Sequence, residues 1–263
     1  MDFNEENLAA RLSGKRIGNN IHFFTEVDST NDVLFKLARS GAPHGTVVIA
    51  ESQTKGKGRL SRQWSSPPGC NIYTSIALRP SIEPVYAPQI TLMAGVAVAE
   101  LLSEYCTGVT LKWPNDVQIG GGKVCGILAE MSASDESIVD FIVVGIGINV
   151  NIRKMDIDES IRDRATSLAE ETGQNISRLD LSAKLFDRFD VLYSRLLDSG
   201  FGPIKDAWLS YCDMVGKQVR VVFKNDIESG KVLGVDDFGA LLISDEGGKT
   251  KRIIAGDASV LKE

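Results

Sequence analysis

The chain has 263 residues and a formal net charge of −6, from 29 Lys and Arg against 35 Asp and Glu. That length suits one large domain, or one domain with a small appendage. A composition of 43% hydrophobic and 24% charged residues is that of an ordinary globular fold and argues against global disorder. An acidic whole-chain charge is a poor match for nucleic-acid phosphates, so no nucleic acid is expected as a ligand, although a local basic patch is compatible with the total. Two histidines, His22 and His44, are too few for a multi-histidine metal site and make a Ser-His-Asp triad hard to build. The four cysteines, Cys70, Cys106, Cys125 and Cys212, form no C-x-x-C pair and suit a reducing compartment. The N-terminal MDFNEENLAA lacks the basic and apolar regions of a secretory signal. The longest apolar stretches, 90–102 and 141–150, fall short of the ~20 residues that cross a bilayer. A cytoplasmic protein with no membrane partner is therefore expected.

In chain order, residues 1–20 read as a short helix carrying Leu8 and Leu12, followed by a Gly/Asn turn. IHFFTEV (21–27) reads as a strand. Asp28-Ser29-Thr30 then caps a helical pattern through Val33, Leu34, Leu37 and Ala38. TVVIA (46–50) is a short buried strand, and 51–69 is a polar, glycine-rich, basic loop. NIYTSIALR (71–79) is a strand, and 88–105 a helix with a broad apolar face. Strands are expected at 109–113, 116–119, 123–131 and 137–150, and helices at about 160–171, 178–199 and 203–212. From 213 the texture changes to five short strand-like runs with Gly and Asp turns, which suggests a small barrel. The expected architecture is α+β: a mixed β-sheet with packed helices over 1–212, followed by a small β-barrel over 213–263.

Five constellations carry chemistry. The first is Gly56-Lys57-Gly58-Arg59-Leu60-Ser61-Arg62-Gln63-Trp64. Its glycines allow close backbone approach, its cations make charge-assisted bonds to anions, and Trp64 offers a flat face to a base. In isolation this is either a solvated basic loop or a cover for an anionic, aromatic ligand such as a nucleotide. The second is Lys112-Trp113-Pro114-Asn115-Asp116, read either as a plain turn between hairpin strands or as a phosphate, ribose or hydrated Mg²⁺ contact. The third is Lys123 at the mouth of the apolar KVCGILAEM, either snorkelling at a sheet edge or reaching into a pocket.

The fourth is Gly145-Ile146-Gly147-Ile148-Asn149-Val150-Asn151. It fails G-x-G-x-x-G at Val150, and no helix follows, so a dinucleotide-binding turn is rejected. Glycines in a strand instead point to close approach of a ligand or another backbone. GGKT at 247–250 lacks the first glycine of a P-loop, since Ile243 stands there. The fifth is Asp28-Ser29-Thr30-Asn31. A helix cap accounts for Asp or Ser, leaving Asn31, and with it Gln53, as surplus polar groups near the loop.

In this order the five pieces resemble the biotin–protein ligase family. The family loop is close to G-R-G-R-x-G-R-x-W-x-S-P, and Gly56 to Pro67 read G-K-G-R-L-S-R-Q-W-S-S-P. KWPND, KVCGIL, GIGINVN and DSTN match the remaining family segments. Lys57 stands where arginine is usual, and Ser61 where the family has glycine. The resemblance implies a catalytic domain like that of class II synthetases with a C-terminal SH3-like barrel, and a form without the N-terminal DNA-binding domain that some members carry. It implies ATP-dependent activation of biotin as biotinyl-5′-AMP, then transfer to a lysine of a biotin carboxyl carrier protein. A lipoate–protein ligase or lipoyl/octanoyl transferase of the same fold is the alternative, and a non-catalytic biotin or nucleotide sensor a third reading. A homodimer is compatible with the family.

Carried over residue by residue, the resemblance places Ser29, Thr30, Asn31, Gln53, Lys57, Gly58, Arg59 and Lys123 at biotin. It places Lys57, Arg59, Arg62, Trp64, Lys112, Asn115 and Asn149 at ATP. Arg59, Lys112, Asp116 and Lys123 become the catalytic set, with Asp116 also a contact for Mg²⁺ brought by ATP. Joining a carboxylate to an anionic α-phosphate sets like charges together, a repulsion of about 1 kcal/mol at ~4 Å in water and more in a drier site, so cations are required at the meeting point.

Overall fold

A computed structural model describes residues 2–12, 14–134 and 137–261. The outermost residues of the two expected domains, and the end of the last strand-like run, lie outside them.

Seven strands form one mixed sheet: β1 (Asn20–Val27), β2 (Thr46–Gln53), β3 (Ile72–Leu78), β4 (Val109–Lys112), β5 (Asp116–Ile119), β6 (Gly122–Ala133) and β7 (Val139–Ile148). Their order is β1-β2-β3-β7-β6-β5-β4. β1 and β2 are parallel, joined through helix α2 (Thr30–Arg39), and all other neighbours are antiparallel. Alternation sorts the strands into two faces. One face joins α1 (Glu5–Leu12), α3 (Ala87–Leu102), α5 (Arg178–Ser199) and α6 (Gly202–Tyr211) in the main core, where Ile142, Val144, Ile146 and Ile148 of β7 are buried. On the other face α2 lays Leu34 and Ala38 over Val48, Ala77, Phe141 and Val143.

The stretch Pro84–Leu102 is 19 residues long and apolar enough to span a bilayer, longer than the sequence reading allowed. Two-thirds of it is buried inside the protein, and α3 packs against α5, α6 and β6, so its apolarity is that of a core helix.

The sequence-expected strands and the long helices are present. The helix expected at 160–171 is not. A single 3₁₀ turn, Arg162–Arg164, precedes a five-residue helix, α4 (Leu168–Thr172), capped by Ser167. Ala165 instead forms a bridge with Lys123, and the Thr166 N–H donates to the Lys123 carbonyl at 3.0 Å. The segment is held along the edge of β6, and its backbone bonds go there rather than into a helix.

Residues 218–260 form a second, antiparallel sheet of β8 (Gln218–Phe223), β9 (Asp226–Val235), β10 (Leu241–Ser244), β11 (Thr250–Ile253) and β12 (Asp257–Val260), in the order β11-β10-β9-β8-β12. Among the described residues no ladder joins β11 to β12. This unit is not tethered by chain alone. Val219, Val221, Val232, Leu241 and Ile243 belong to the same buried cluster as the main core. The Trp113 indole N–H donates to the Gly239 carbonyl at 3.1 Å, and Tyr86 stacks on Phe238 at 5.4 Å.

Candidate active site

The face of the sheet covered by α2 continues past the start of that helix. Along β7 the residues on this face run Phe141, Val143, Gly145, Gly147, so the bulk that supports α2 gives way to bare backbone. Register sets Ser75 of β3 opposite Gly145, and Tyr73 opposite Gly147. On the other side Gly126, Leu128 and Glu130 of β6 face Gly147, Gly145 and Val143. The result is a glycine-floored slot. A β-carbon at Gly145 would lie 2.1 Å from Asn31 Oδ1, and one at Gly147 2.6 Å from the Trp64 ring.

At one end of the slot is a buried polar network. Asn31 Nδ2 donates to the Leu128 carbonyl at 3.2 Å and to Glu130 at 2.7 Å, while its Oδ1 accepts from Ser75 at 2.6 Å. Ser75 Oγ is 2.9 Å from the Thr30 hydroxyl. Gln53 Oε1 accepts from the Thr30 N–H at 2.9 Å, and its Nε2 donates to Ser66 at 2.9 Å. Ser29 caps α2 and is buried.

The loop between β2 and β3 folds back on itself. Lys57 and Gln63 form a bridge, and the Gly58 N–H donates to the Arg62 carbonyl at 2.7 Å. At its tip Leu60 and Ser61 are left-handed, with φ of 54° and 60°. Ser61 thus occupies, at some strain, a conformation that glycine adopts freely. The loop lays Trp64 on Gly126 and Gly147, and the indole Nε1 is buried with no hydrogen-bond partner among the described residues. Trp64, which the resemblance assigns to ATP, thus lies over the glycine floor at Gly126 and Gly147.

The cations are mostly held by carboxylates. Lys57 pairs with Asp32 and lies 3.6 Å from Glu130, and the Asp32 hydrogen bond raises its pKa. Lys123 lies 2.6 Å from Asp116 and 5.3 Å from the Trp64 ring centre. Arg59 donates to Asn115 Oδ1 at 3.2 Å and to the Gly256 carbonyl at 3.3 Å, and Arg62 is 2.5 Å from Asp257. Burial pushes the Arg59 guanidinium below its ordinary pKa, with Asp257 opposing. Asn115 is fixed by donating to the Ile127 carbonyl at 2.7 Å, and Asn149 by donating to Thr166 O at 3.0 Å. Among the described residues the Lys112 ammonium has no hydrogen-bond or ion-pair partner.

All the sequence-expected site residues line one cavity of about 860 Å³. It also takes in Ile157, Asp158, Ile161 and Arg164 from the segment after β7, and Asp257 to Val260 of β12. Sequence reasoning missed that segment, together with Asp32, Ser75, Glu130 and Asp257. Ser75 and Glu130 carried a weak signal, as polar residues inside apolar strands. Asp257 carried none. Among the described residues no group of three or more His, Cys, Asp and Glu side chains is placed to hold a metal. Asp116 alone, already paired with Lys123, does not fit a resident Mg²⁺ site.

Residues 23–149 match the model of the biotin/lipoate A/B protein ligase family, and residues 215–261 match that of the biotin protein ligase C-terminal domain. The bifunctional ligase/repressor BirA of Bacillus spizizenii is 38% identical over 96% of this chain and 78% of that protein. The chain belongs to the biotin protein ligase family. A biotin–[acetyl-CoA-carboxylase] ligase of Paracoccus denitrificans is 34% identical over 84% of this chain and 93% of its own length. The biotin protein ligase of Aquifex aeolicus, solved in complex with biotin and ATP, superimposes with a TM-score of 0.79 at 35% identity, covering 93% of this chain and 99% of that one.

Proposed function

We propose that this chain is an ATP-dependent biotin–protein ligase, which joins the biotin carboxylate to the α-phosphate of ATP, releases pyrophosphate, and passes the biotinyl group to a lysine of a biotin carboxyl carrier protein. The observation that carries this reading is the convergence of five separate sequence segments on one cavity, which is lined both by the polar side chains of Thr30, Asn31 and Gln53 and by the cations Lys57, Arg59, Lys112 and Lys123. On this reading the glycine slot takes biotin, with Ser29, Thr30, Asn31 and Gln53 at its polar end and Trp64 along the aliphatic tail. Lys57, Gly58, Arg59 and Lys123 meet the carboxylate and the adenylate. Arg62, Lys112, Asn115 and Asn149 serve the nucleotide.

Arg59, Lys112 and Lys123 would offset the charge that builds up as two anions approach, in a site already dry enough to perturb Arg59. The carboxylates now paired with Lys57, Arg59 and Lys123 balance the charge of those cations until substrate oxygens replace them. Mg²⁺ would enter as part of the ATP substrate, and Asp116 is the carboxylate that the resemblance assigns to it. Residues 1–212 form the catalytic unit and 213–263 its partner across the cavity. A cytoplasmic location goes with the four free cysteines, the absence of nucleic acid among its ligands with the acidic net charge, and a homodimer with the family resemblance.

The test is incubation with ATP, Mg²⁺ and either biotin or lipoate. Pyrophosphate release with biotin alone, and a mass gain on one lysine of an added carrier domain, are expected. Release with lipoate and not biotin would overturn the assignment.

A further inference from the structure

Glu130 lies outside every motif quoted for the family resemblance, yet it touches two of them. One carboxylate oxygen accepts from Asn31 Nδ2 at 2.7 Å, and the other is 3.6 Å from Lys57 Nζ. Asn31 is buried, and its amide keeps only one lone pair of its oxygen uncommitted. Both Nδ2 hydrogens are taken by Glu130 and the Leu128 carbonyl, and Oδ1 accepts from Ser75. That oxygen rests directly on Gly145. An amide reversed at this point would set its NH₂ against the Ser75 hydroxyl and its oxygen against the Leu128 carbonyl and Glu130. The Glu130 carboxylate, at the shorter distance, and the Leu128 carbonyl are both acceptors only and together fix which way round the Asn31 amide stands.

Resting on the reading of this slot as the biotin site, we infer that Glu130 is a positioning residue for biotin. It orients Asn31 at the polar end of the slot and ties that end to Lys57 of the covering loop. Asn31 in turn holds Ser75 and, through it, the Thr30 hydroxyl. Loss of Glu130 frees one buried donor and lets the network reorganise, and the loss falls on biotin rather than on ATP.

Glu130→Ala is expected to raise the KM for biotin about tenfold, the cost of one buried donor left unpaired, with the KM for ATP within about twofold. Glu130→Gln keeps an acceptor for Asn31 and should hold the biotin KM within about threefold of the parent. Because Glu130→Ala alone could unfold the sheet edge, a second pair is measured. Asn31→Asp sets two carboxylates together, and adding Glu130→Gln to it should lower the biotin KM about fivefold. Parallel rises in both KM values, equal effects of Gln and Ala, or no recovery in the double variant would overturn the assignment. Pyrophosphate release by the parent with biotin reports on the reading of the site itself, independently of these ratios.

Discussion

Two glycines decide what the sheet can hold. Gly147 lets the Trp64 indole lie on β7, at a distance where any β-carbon would collide with the ring. Gly147→Ala should therefore lift Trp64 off the floor and lower pyrophosphate release about tenfold, roughly 1.4 kcal/mol, as read by a coupled assay at fixed biotin. The melting temperature should move little, because the added methyl displaces a loop side chain rather than the core. The opposite substitution applies at the loop tip. Ser61 is left-handed at φ 60°, so Ser61→Gly removes that strain while adding freedom to the unfolded chain. The net effect should be a gain of about 0.5 kcal/mol in stability, measured by urea unfolding. These positions show how a motif becomes visible in sequence: a backbone that must be bare, or turned the unusual way, restricts the residue type locally.

The loop of residues 54–66 is the element that brings Lys57, Arg59, Arg62 and Trp64 to the cavity. It is folded as a small hairpin, with the Trp64 N–H donating to the Gly56 carbonyl at 2.9 Å, and Arg59 anchors it to Asn115 and Gly256. A mixed anhydride is open to attack by water and stray amines, and an ordered cover excludes both. Arg59→Gly removes the anchor, and the variant should release biotinyl-5′-AMP and label lysines of bystander proteins. Retention of the adenylate as tight as the parent's, with no bystander labelling by mass spectrometry, would contradict this role. The segment after β7 teaches the converse lesson. Its sequence reads as a helix at 160–171, yet Ala165 and Thr166 pair with the edge of β6, and the short α4 starts only at Leu168. An unpaired strand edge next to it outweighed local helical preference.

At the scale of the whole molecule, the C-terminal sheet contributes β12 to the lining of the cavity. Asp257 lies between Arg59 and Arg62, at 3.7 and 2.5 Å, and offsets two guanidiniums that would otherwise repel. Asp257→Ala should splay them and raise the KM for ATP about fivefold, about 1 kcal/mol, while the biotin KM stays within about twofold. Steady-state kinetics with each substrate varied in turn gives both values.

Stability against acid has a separate origin. His44 stacks on Tyr193 of α5 at 5.3 Å, and its Nδ1 accepts the Arg79 N–H. Burial, with Arg16 and Arg79 adding to it and Asp190 opposing, holds its pKa below the ordinary value of 6.5. A folded value below the unfolded one favours the neutral ring. The stability it contributes is complete above about pH 6.5 and is lost as pH falls through the folded value. Urea midpoints at pH 7 and pH 5 should converge in His44→Gln relative to the parent.

The sequence by itself determined the order of the strands and of the long helices, the basic loop, and the five segments 28–31, 56–64, 112–116, 123–128 and 145–151 that the fold brings to one cavity. Each of these depends on a cap, a glycine, a proline or a charge that acts within a few residues of chain. Only the tertiary structure decided that Ser75 and Leu128 flank Gly145, that Glu130 meets Asn31, that Trp64 lies on the glycine floor, and that Asp257 reaches across from the second sheet to the loop arginines. Strand register and the docking of one sheet on another are set by burial summed over residues far apart in the chain, and no short stretch carries that sum.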